Sequence, residues 1–246
     1  MESNPPVLFS APRQIAGPED CDFYHTIEIP GLGLVHGPWD LREIVDLYLG
    51  GVSFADKRAL EIGPASGFLT MEMEKRGATV VAVEVPDDPG WDFVPYPLAI
   101  LDPIYAPRRH HMTRIKNSFW FTHSAYKSKA QLLYGDAYNL PDSLGAFDIA
   151  VMSALLLHCH SPLKIVEQCA RRATTLLIAD RLFPELEGRP VCRLAASREN
   201  KSWDTWWHFS TDFFTQFLRV MGFATKTITY THEPHGTLFT IVAKKG

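Results

Sequence analysis

The sequence predicts an α/β protein built on a mostly parallel sheet of seven strands. Three observations support this prediction. Apolar β-branched runs alternate with helical patterns over residues 58–179, which is typical of parallel strands joined by crossover helices. A glycine-rich turn follows the first of these strands, and the last two strands are close enough in sequence to form an antiparallel hairpin. The 246 residues, 46% of them hydrophobic, suffice for a single domain with one core.

Composition and charge exclude several classes of protein. The longest apolar run, Ile149 to Leu157, is far shorter than the roughly 18 to 20 residues that span a bilayer, so we expect no membrane contact. The first 14 residues contain no apolar stretch of signal-peptide length, so we expect a cytoplasmic protein. The four cysteines lack the spacing of a zinc site, and we expect no metal. A net charge of −4 gives no overall attraction to nucleic acid.

Residues 1–57 are predicted to form an N-terminal extension. Residues 1–20 are rich in proline and polar residues, which predicts an arm on the surface. Asp40 and Glu43 form a pair that resembles a capping box, and apolar positions with helical spacing follow. We therefore expect an amphipathic helix that starts at Asp40 and ends at Gly50 and Gly51.

The βαβ unit comes next. Arg58–Ile62 is predicted to be a buried strand, and it leads into a glycine turn at residues 63–67. A helix that ends at Gly77 follows, and Thr79–Val85 is a second β-branched strand. Two strands joined through a helix in this way are parallel and have a right-handed crossover.

The remaining elements continue the same alternation. Three further strands are predicted, at Gln131–Tyr134, Phe147–Ser153 and Thr174–Ala179. Helices are predicted at Leu163–Ala173 and after Ser210, which is a suitable N-cap. The last two strands, Lys226–Thr231 and Leu238–Ala243, should form the hairpin because only a short turn joins them.

The stretch from residue 86 to residue 130 is too long for a single crossover helix. We expect it to add an insertion above the sheet, where it would serve as a substrate lid. Apolar and aromatic positions between Ile115 and Ala130 have helical spacing, so this part should pack inward. No acidic residue lies between Asp102 and Asp136. Arg108 and Arg109 could therefore clamp an anionic substrate, although a solvated basic face is the alternative.

The glycine turn is the motif that points to chemistry. Such a turn lets backbone N–H groups and a helix N-terminus approach a ligand closely. The run from Glu61 to Gly67 has the form E-x-G-x-x-x-G, whereas dinucleotide-binding folds have G-x-G-x-x-G. This run resembles the first motif of the class I S-adenosylmethionine-dependent methyltransferases. Two alternatives are a turn without a ligand and an NAD site, although the glycine spacing disfavours NAD.

This resemblance implies a Rossmann-like fold with S-adenosylmethionine as the cofactor. In that family an acidic residue at the end of the second strand binds the ribose, and Glu84 has that position. An aspartate after the third strand binds the adenine amino group, and Asp136 matches it. The reversed last strand is also a feature of the family. The residues so expected to bind the cofactor are Glu61, Gly63, Pro64, Ala65, Gly67, Glu84, Val85, Asp136, Ala137 and Ser153.

A narrower resemblance concerns the segment Met152–Leu163. It is similar to the fourth-strand segment of enzymes that modify the wobble uridine of tRNA, which have a leucine-rich run, a histidine, two residues and then Ser-Pro-Leu. Members that transfer a carboxymethyl group have a tyrosine before this histidine, where this chain has Leu157. We therefore expect methyl transfer. The branch also includes relatives whose setting suggests small molecules, so a small acceptor and tRNA both stay open, as does a cofactor-binding protein without turnover.

Methyl transfer needs a nucleophile held near the sulfonium carbon, and often a base. His158 follows the fourth strand at the edge where parallel sheets bind ligands, so we expect it to be a base or a substrate contact. A packing role is the alternative. His25 and His208, each beside aromatic residues, are further candidates. The residues expected to contact the substrate are Trp39, Arg108, Arg109, Trp206 and Trp207. We expect methylation of an oxygen or nitrogen of a small molecule, either anionic or neutral, and the sequence makes no prediction of the oligomeric state.

Overall fold

The computed structural model describes residues 9–86 and 92–246. In chain order the strands are β1 (Ile27–Ile29), β2 (Gly33–Val35), β3 (Arg58–Ile62), β4 (Thr79–Glu84), β5 (Gln131–Tyr134), β6 (Phe147–Ser153), β7 (Ala173–Arg181), β8 (Cys192–Leu194), β9 (Trp207–Phe209), β10 (Phe223–Glu233) and β11 (Gly236–Lys245). The α-helices are α1 (Val45–Tyr48), α2 (Phe68–Lys75), α3 (Leu98–Tyr126), α4 (Pro162–Arg172) and α5 (Thr211–Val220).

Seven strands form the central sheet, in the order β10-β11-β7-β6-β3-β4-β5. The five strands from β7 to β5 pair in parallel, whereas β11 is antiparallel to both β7 and β10. This confirms the predicted α/β fold with a mostly parallel seven-stranded sheet and a C-terminal hairpin. The chain runs outward from β3 in both directions, so the carboxyl end of β3 lies at the switch point where open sheets bind ligands.

The sheet is buried on both faces, which explains why its inner strands are nearly all apolar. Leu60 and Ile62 of β3 belong to one hydrophobic core, which includes residues of α4 and α5. Ala59 belongs to the core on the other face, with residues of α1, α2 and β1. Among the described residues, no helix combines the length and apolar character needed to cross a bilayer.

The predicted helix at residues 40–50 is wrong in its start. The helix α1 is a single turn, and residues 42–44 before it form turns. The physical reason is that Asp40 does not cap a helix. Its carboxylate accepts hydrogen bonds from the backbone N–H of Arg42 at 3.3 Å and from the Arg42 guanidinium at 2.7 and 2.8 Å. Gly50 and Gly51, both with φ of 64°, follow the short helix.

The predicted insertion over residues 86–130 is largely the 29-residue helix α3. Its C-terminal half packs on the sheet, where Phe119 and Trp120 contact Ala82 and Leu132. The insertion is therefore a lengthened crossover helix, and its role as a lid stays a prediction. Residues 87–91 of the predicted insertion and residues 1–8 of the predicted extension lie outside the described part of the chain.

Candidate functional site

A cavity of about 250 Å³ lies at the carboxyl edge of the sheet. The ends of β3 and β4 and the residues directly after β5 form one wall. The segment Leu155–Cys159 after β6 and the N-terminal half of α3 form a second wall. Most lining side chains are apolar, and a few charged groups face the interior, which is the usual composition of a small-molecule site.

The glycine turn between β3 and α2 forms part of this wall. Gly63 lines the cavity with φ of 73°, and a Cβ atom there would lie 3.2 Å from Leu155 Cδ1. Gly67 is the N-cap of α2 with φ of 86°. Left-handed backbone at both positions, together with this close approach, explains why the turn contains glycine. Pro64 and Ala65 lie in the same turn, and Ala65 also has a positive φ, of 48°.

Two acidic residues and their neighbours line the cavity next to this turn. Glu84 ends β4 and Asp136 follows β5, and these strands are adjacent and parallel. Glu84 is buried, and its Oε1 accepts a hydrogen bond from the N–H of Val85 at 2.8 Å. Burial raises the pKa of Glu84. Asp136 is exposed, and its Oδ1 accepts from the N–H of Tyr138 at 2.8 Å. Ala137, the residue after Asp136, also lines the cavity.

Glu61 and Ser153 do not line the cavity. Glu61 is 2% exposed and lies beneath the turn, where the Thr70 hydroxyl donates a hydrogen bond to it. Burial raises the pKa of Glu61 to about 7, and the charge of Glu84 adds to this effect. The Ser153 hydroxyl lies 2.5 Å from the Tyr48 hydroxyl. Both side chains therefore support the ends of their strands from below the cavity.

His158 is the candidate histidine that lines the cavity. Its Nδ1 lies 2.5 Å from the backbone oxygen of Asp204. Because a carbonyl oxygen can only accept a hydrogen bond, Nδ1 carries the proton and Nε2 keeps its lone pair. Burial lowers the pKa of His158, which keeps the ring neutral near pH 7. The ring is thus prepared to accept a proton at Nε2.

The other two candidate histidines lie outside the cavity wall. His25 stacks on Phe68 with ring centroids 5.5 Å apart, and its Nδ1 has no hydrogen-bond partner among the described residues. Burial lowers the pKa of His25 to about 4. His208 stacks on Phe183 at 3.8 Å and lies 3.0 Å from the Arg193 guanidinium. Both rings make packing contacts instead of facing the cavity.

The two candidate arginines face different environments. Arg108 lines the cavity, and its guanidinium lies 5.6 Å from the centre of the Trp203 ring. Arg109, the next residue of α3, is exposed and does not line the cavity. This separation follows from the helix, because consecutive residues point about 100° apart.

The three candidate tryptophans hold loops in place and do not line the cavity. The Trp206 indole N–H donates to the backbone oxygen of Asp92 at 2.6 Å, and that of Trp207 donates to the backbone oxygen of His160 at 3.2 Å. The Trp39 ring packs against His235 with centroids 5.0 Å apart. Their hydrogen bonds and ring contacts therefore bind the surrounding segments to one another.

The structure also shows a buried carboxylate that belongs to none of the predicted site residues. Asp180, near the end of β7, is 1% exposed, and its Oδ2 has no hydrogen-bond partner in the described part of the chain. Its Oδ1 accepts from the N–H of Arg181 at 2.7 Å. Burial raises the pKa of Asp180 to about 7. An acidic residue at the end of a parallel strand is the signal that identified Glu84, and the predicted strand stopped one residue short of Asp180.

A second missed feature joins three segments beside the cavity. The Tyr138 hydroxyl donates a hydrogen bond to the Asp92 carboxylate, which also accepts from the N–H of His160 at 2.9 Å. Tyr138 and Asp92 both line the cavity. No sequence pattern connects these residues, which are 46 positions apart along the chain.

Comparisons with known proteins place the fold. No family model and no curated protein matches the sequence. Magnesium protoporphyrin IX methyltransferase from Synechocystis, with S-adenosylhomocysteine bound, has a TM-score of 0.55 and 12% identity, over 84% of this chain and 82% of that one. The N-terminal domain of EvdMO1, crystallised in the presence of S-adenosylhomocysteine and D-fucose, has a TM-score of 0.54 and 13% identity, over 90% of each chain. A putative RNA methyltransferase from Pyrococcus horikoshii has a TM-score of 0.50 and 15% identity, over 82% of this chain and 78% of that one. The chain thus shares its fold with methyltransferases.

Proposed function

We propose that this protein is an S-adenosylmethionine-dependent methyltransferase that acts on an oxygen or nitrogen of a small molecule. The observation that carries the proposal is the common wall formed by Gly63, Glu84 and Asp136. These residues lie at or just after the ends of three adjacent parallel strands, and all of them line a single cavity. The fold shared with a methyltransferase that has S-adenosylhomocysteine bound, and with a domain crystallised in the presence of the same compound, supports it.

The wall fits the chemistry of this cofactor. The Glu84 carboxylate has acceptor oxygens for the two ribose hydroxyls, and Asp136 can accept a hydrogen bond from the adenine amino group. The apolar side chains of Ile62, Val83 and Ala137 line the same cavity and suit a planar base. The buried carboxylates also favour a ligand with positive charge, which S-adenosylmethionine carries on its sulfonium and ammonium groups.

The chain's own residues supply positioning and proton transfer. S-adenosylmethionine, when bound, supplies an electrophilic methyl group. His158 Nε2 accepts the proton of the acceptor's hydroxyl or amine, while the backbone oxygen of Asp204 holds the ring in the required tautomer. The apolar side chains of Phe93, Met112 and Leu155 exclude water from the reacting atoms.

The alternative acceptor, tRNA, finds less support in the geometry. A docking surface for a polyanion needs basic side chains together on one exposed face. The basic residues of α3 do not form such a face. Arg108 faces the cavity, Arg114 pairs with Asp22 at 2.7 Å, and Lys116 is 2% exposed. We therefore favour a small acceptor over the wobble-uridine branch.

Calorimetry with the purified protein tests the proposed function. We expect micromolar binding of S-adenosylmethionine and S-adenosylhomocysteine. Glu84→Gln should weaken the binding of both compounds by about tenfold or more, because it removes a charged hydrogen-bond acceptor. Glu43→Gln, a change at an exposed glutamate, should have no effect. Absence of heat with both ligands, together with binding of NAD, would contradict the proposal. Turnover to S-adenosylhomocysteine with an acceptor would separate an enzyme from a binding protein.

A further inference from the structure

The cavity contains a cation, Arg108, whose side chain has no hydrogen-bonded or ion-paired partner in the described part of the chain. Arg108 makes no hydrogen bond and no ion pair with any described residue, and its Nε atom is buried. Its one ring contact is with Trp203, at 5.6 Å. A guanidinium that has lost part of its hydration without gaining an acceptor is unfavourable. Such a group is therefore a candidate for binding an anion.

The acidic groups that share the cavity are engaged elsewhere. The Asp92 carboxylate accepts hydrogen bonds from Tyr138 and from the N–H of His160. Asp204 Oδ1 accepts from the Thr205 hydroxyl at 3.2 Å. Glu84 accepts from the N–H of Val85, on the side where we place the ribose. The charge of Arg108 acts at longer range to lower the pKa of Glu84, but no carboxylate oxygen of the described residues lies within 4.0 Å of the guanidinium, so an acidic group of a ligand can bind there.

The surroundings of Arg108 define the rest of that ligand. Phe93, Met112 and Leu155 give this end of the cavity apolar walls, and His158 stands on the same wall as Leu155. Phe93 and Trp203 pack edge to face with centroids 5.1 Å apart, so aromatic surface lies next to the guanidinium. An apolar body would contact these walls while its acidic group meets Arg108.

We propose that Arg108 binds the acidic group of an acceptor that has an apolar body, and that the substrate class is an amphipathic carboxylate or phosphate. This inference rests on the proposed function. An acid held by Arg108 would leave the remainder of the molecule beside His158, where the methyl group is accepted. Bidentate hydrogen bonds from the guanidinium fix the orientation of such an acid.

Three small probes test this site by calorimetry. Benzoate and phenyl phosphate carry the two acids, and benzamide is the neutral isostere of benzoate. Each is titrated into the protein with and without saturating S-adenosylhomocysteine. We expect one or both anions to bind about tenfold or more tightly than benzamide. Arg108→Met should lower the affinity for the anions to that for benzamide. Arg109→Met, the matched change at the exposed neighbour, should leave the affinity for the anions unchanged.

The outcomes separate this inference from the proposed function. Equal binding of benzoate and benzamide, absence of binding of both anions, or anion binding that survives Arg108→Met would overturn it. Loss of S-adenosylhomocysteine affinity in Arg108→Met would assign the guanidinium to the carboxylate of the cofactor and would also overturn it. Anion binding that depends on Arg108, in a protein that does not bind S-adenosylhomocysteine, would keep the anion site and reject the methyltransferase.

Discussion

Glu61 and Glu84 form a pair of buried carboxylates under and beside the glycine turn. The pKa of each is raised by burial, and the charge of Glu84 raises that of Glu61 further. A cation in the cavity would favour the ionised forms of both and would lower their pKa values. Binding of a positively charged cofactor should therefore release protons from this pair.

The pH dependence of S-adenosylmethionine binding tests this link. Because the pKa of Glu61 is about 7 without ligand, binding at pH 6 must first remove a proton, and the affinity should rise with pH. We expect about fivefold tighter binding at pH 7.5 than at pH 6, measured by calorimetry. Glu61→Gln lacks one of the two protons of this pair and should show a clearly shallower profile. An unchanged slope in that variant would assign the proton to another group.

At the scale of structural elements, the N-terminal extension is hydrogen-bonded directly to the glycine turn. The Ser66 hydroxyl accepts hydrogen bonds from the backbone N–H groups of Tyr24 and His25 at 3.1 and 3.4 Å. Gly37 passes so close to His25 that a Cβ atom would lie 2.6 Å from its carbonyl carbon. The extension and the turn are therefore one structural unit.

Ser66→Ala should destabilise this unit. The change leaves two backbone N–H groups without their acceptor in a buried place, which costs about 1 to 3 kcal/mol. Chemical denaturation measures the free energy of unfolding. Ser197→Ala is the matched control. The Ser197 hydroxyl also accepts hydrogen bonds from two backbone N–H groups, but it lies in an exposed loop where water can accept these hydrogen bonds in the variant. Equal losses in the two variants would show that the contact with the extension adds nothing.

Elements with strong local signals could be predicted, and contacts between distant segments could not. The strand β3, the glycine turn and Ser210 as an N-cap were all visible in the sequence because each depends on neighbouring residues. The predicted start of α1 was wrong because the Asp40 carboxylate accepts a hydrogen bond from the Arg42 side chain and does not cap the helix. Arg108 and Arg109 were equivalent in the sequence, and only the packing of α3 against the cavity separates them.

On the scale of the whole molecule, three segments outside the sheet cover the same edge and bind one another. Asp22 of the extension pairs with Arg114 of α3 at 2.7 Å. Ahead of that helix, the N–H of Val94 donates to the backbone oxygen of Trp203 at 2.8 Å. Tertiary contacts thus enclose the cavity, and buried charges along this edge of the sheet are coupled to the stability of the whole fold.

Asp180 makes this coupling measurable. Its pKa is about 7 in the folded protein and near 4 when unfolded, so folding disfavours its ionised form and stability is lost as pH rises from 4 to 7. Asp180→Asn removes this loss. The stability of the variant relative to the original protein should rise by about 2 kcal/mol between pH 5 and pH 8, measured by denaturant unfolding. Asp102→Asn, at an exposed position, should show no such trend. If the difference in unfolding free energy between Asp180→Asn and the original protein did not change with pH, the raised pKa of Asp180 would be contradicted.

The division of the cavity between two walls has an evolutionary consequence. The ends of β3 and β4 and the residues after β5 form the wall proposed for the cofactor, whereas the first half of α3 and the segment Leu155–Cys159 form the wall around Arg108. Substitutions in the second wall can accumulate without altering the strand ends. Descendants of one ancestral gene could therefore keep a single methyl donor while they diversify in the metabolites that they modify.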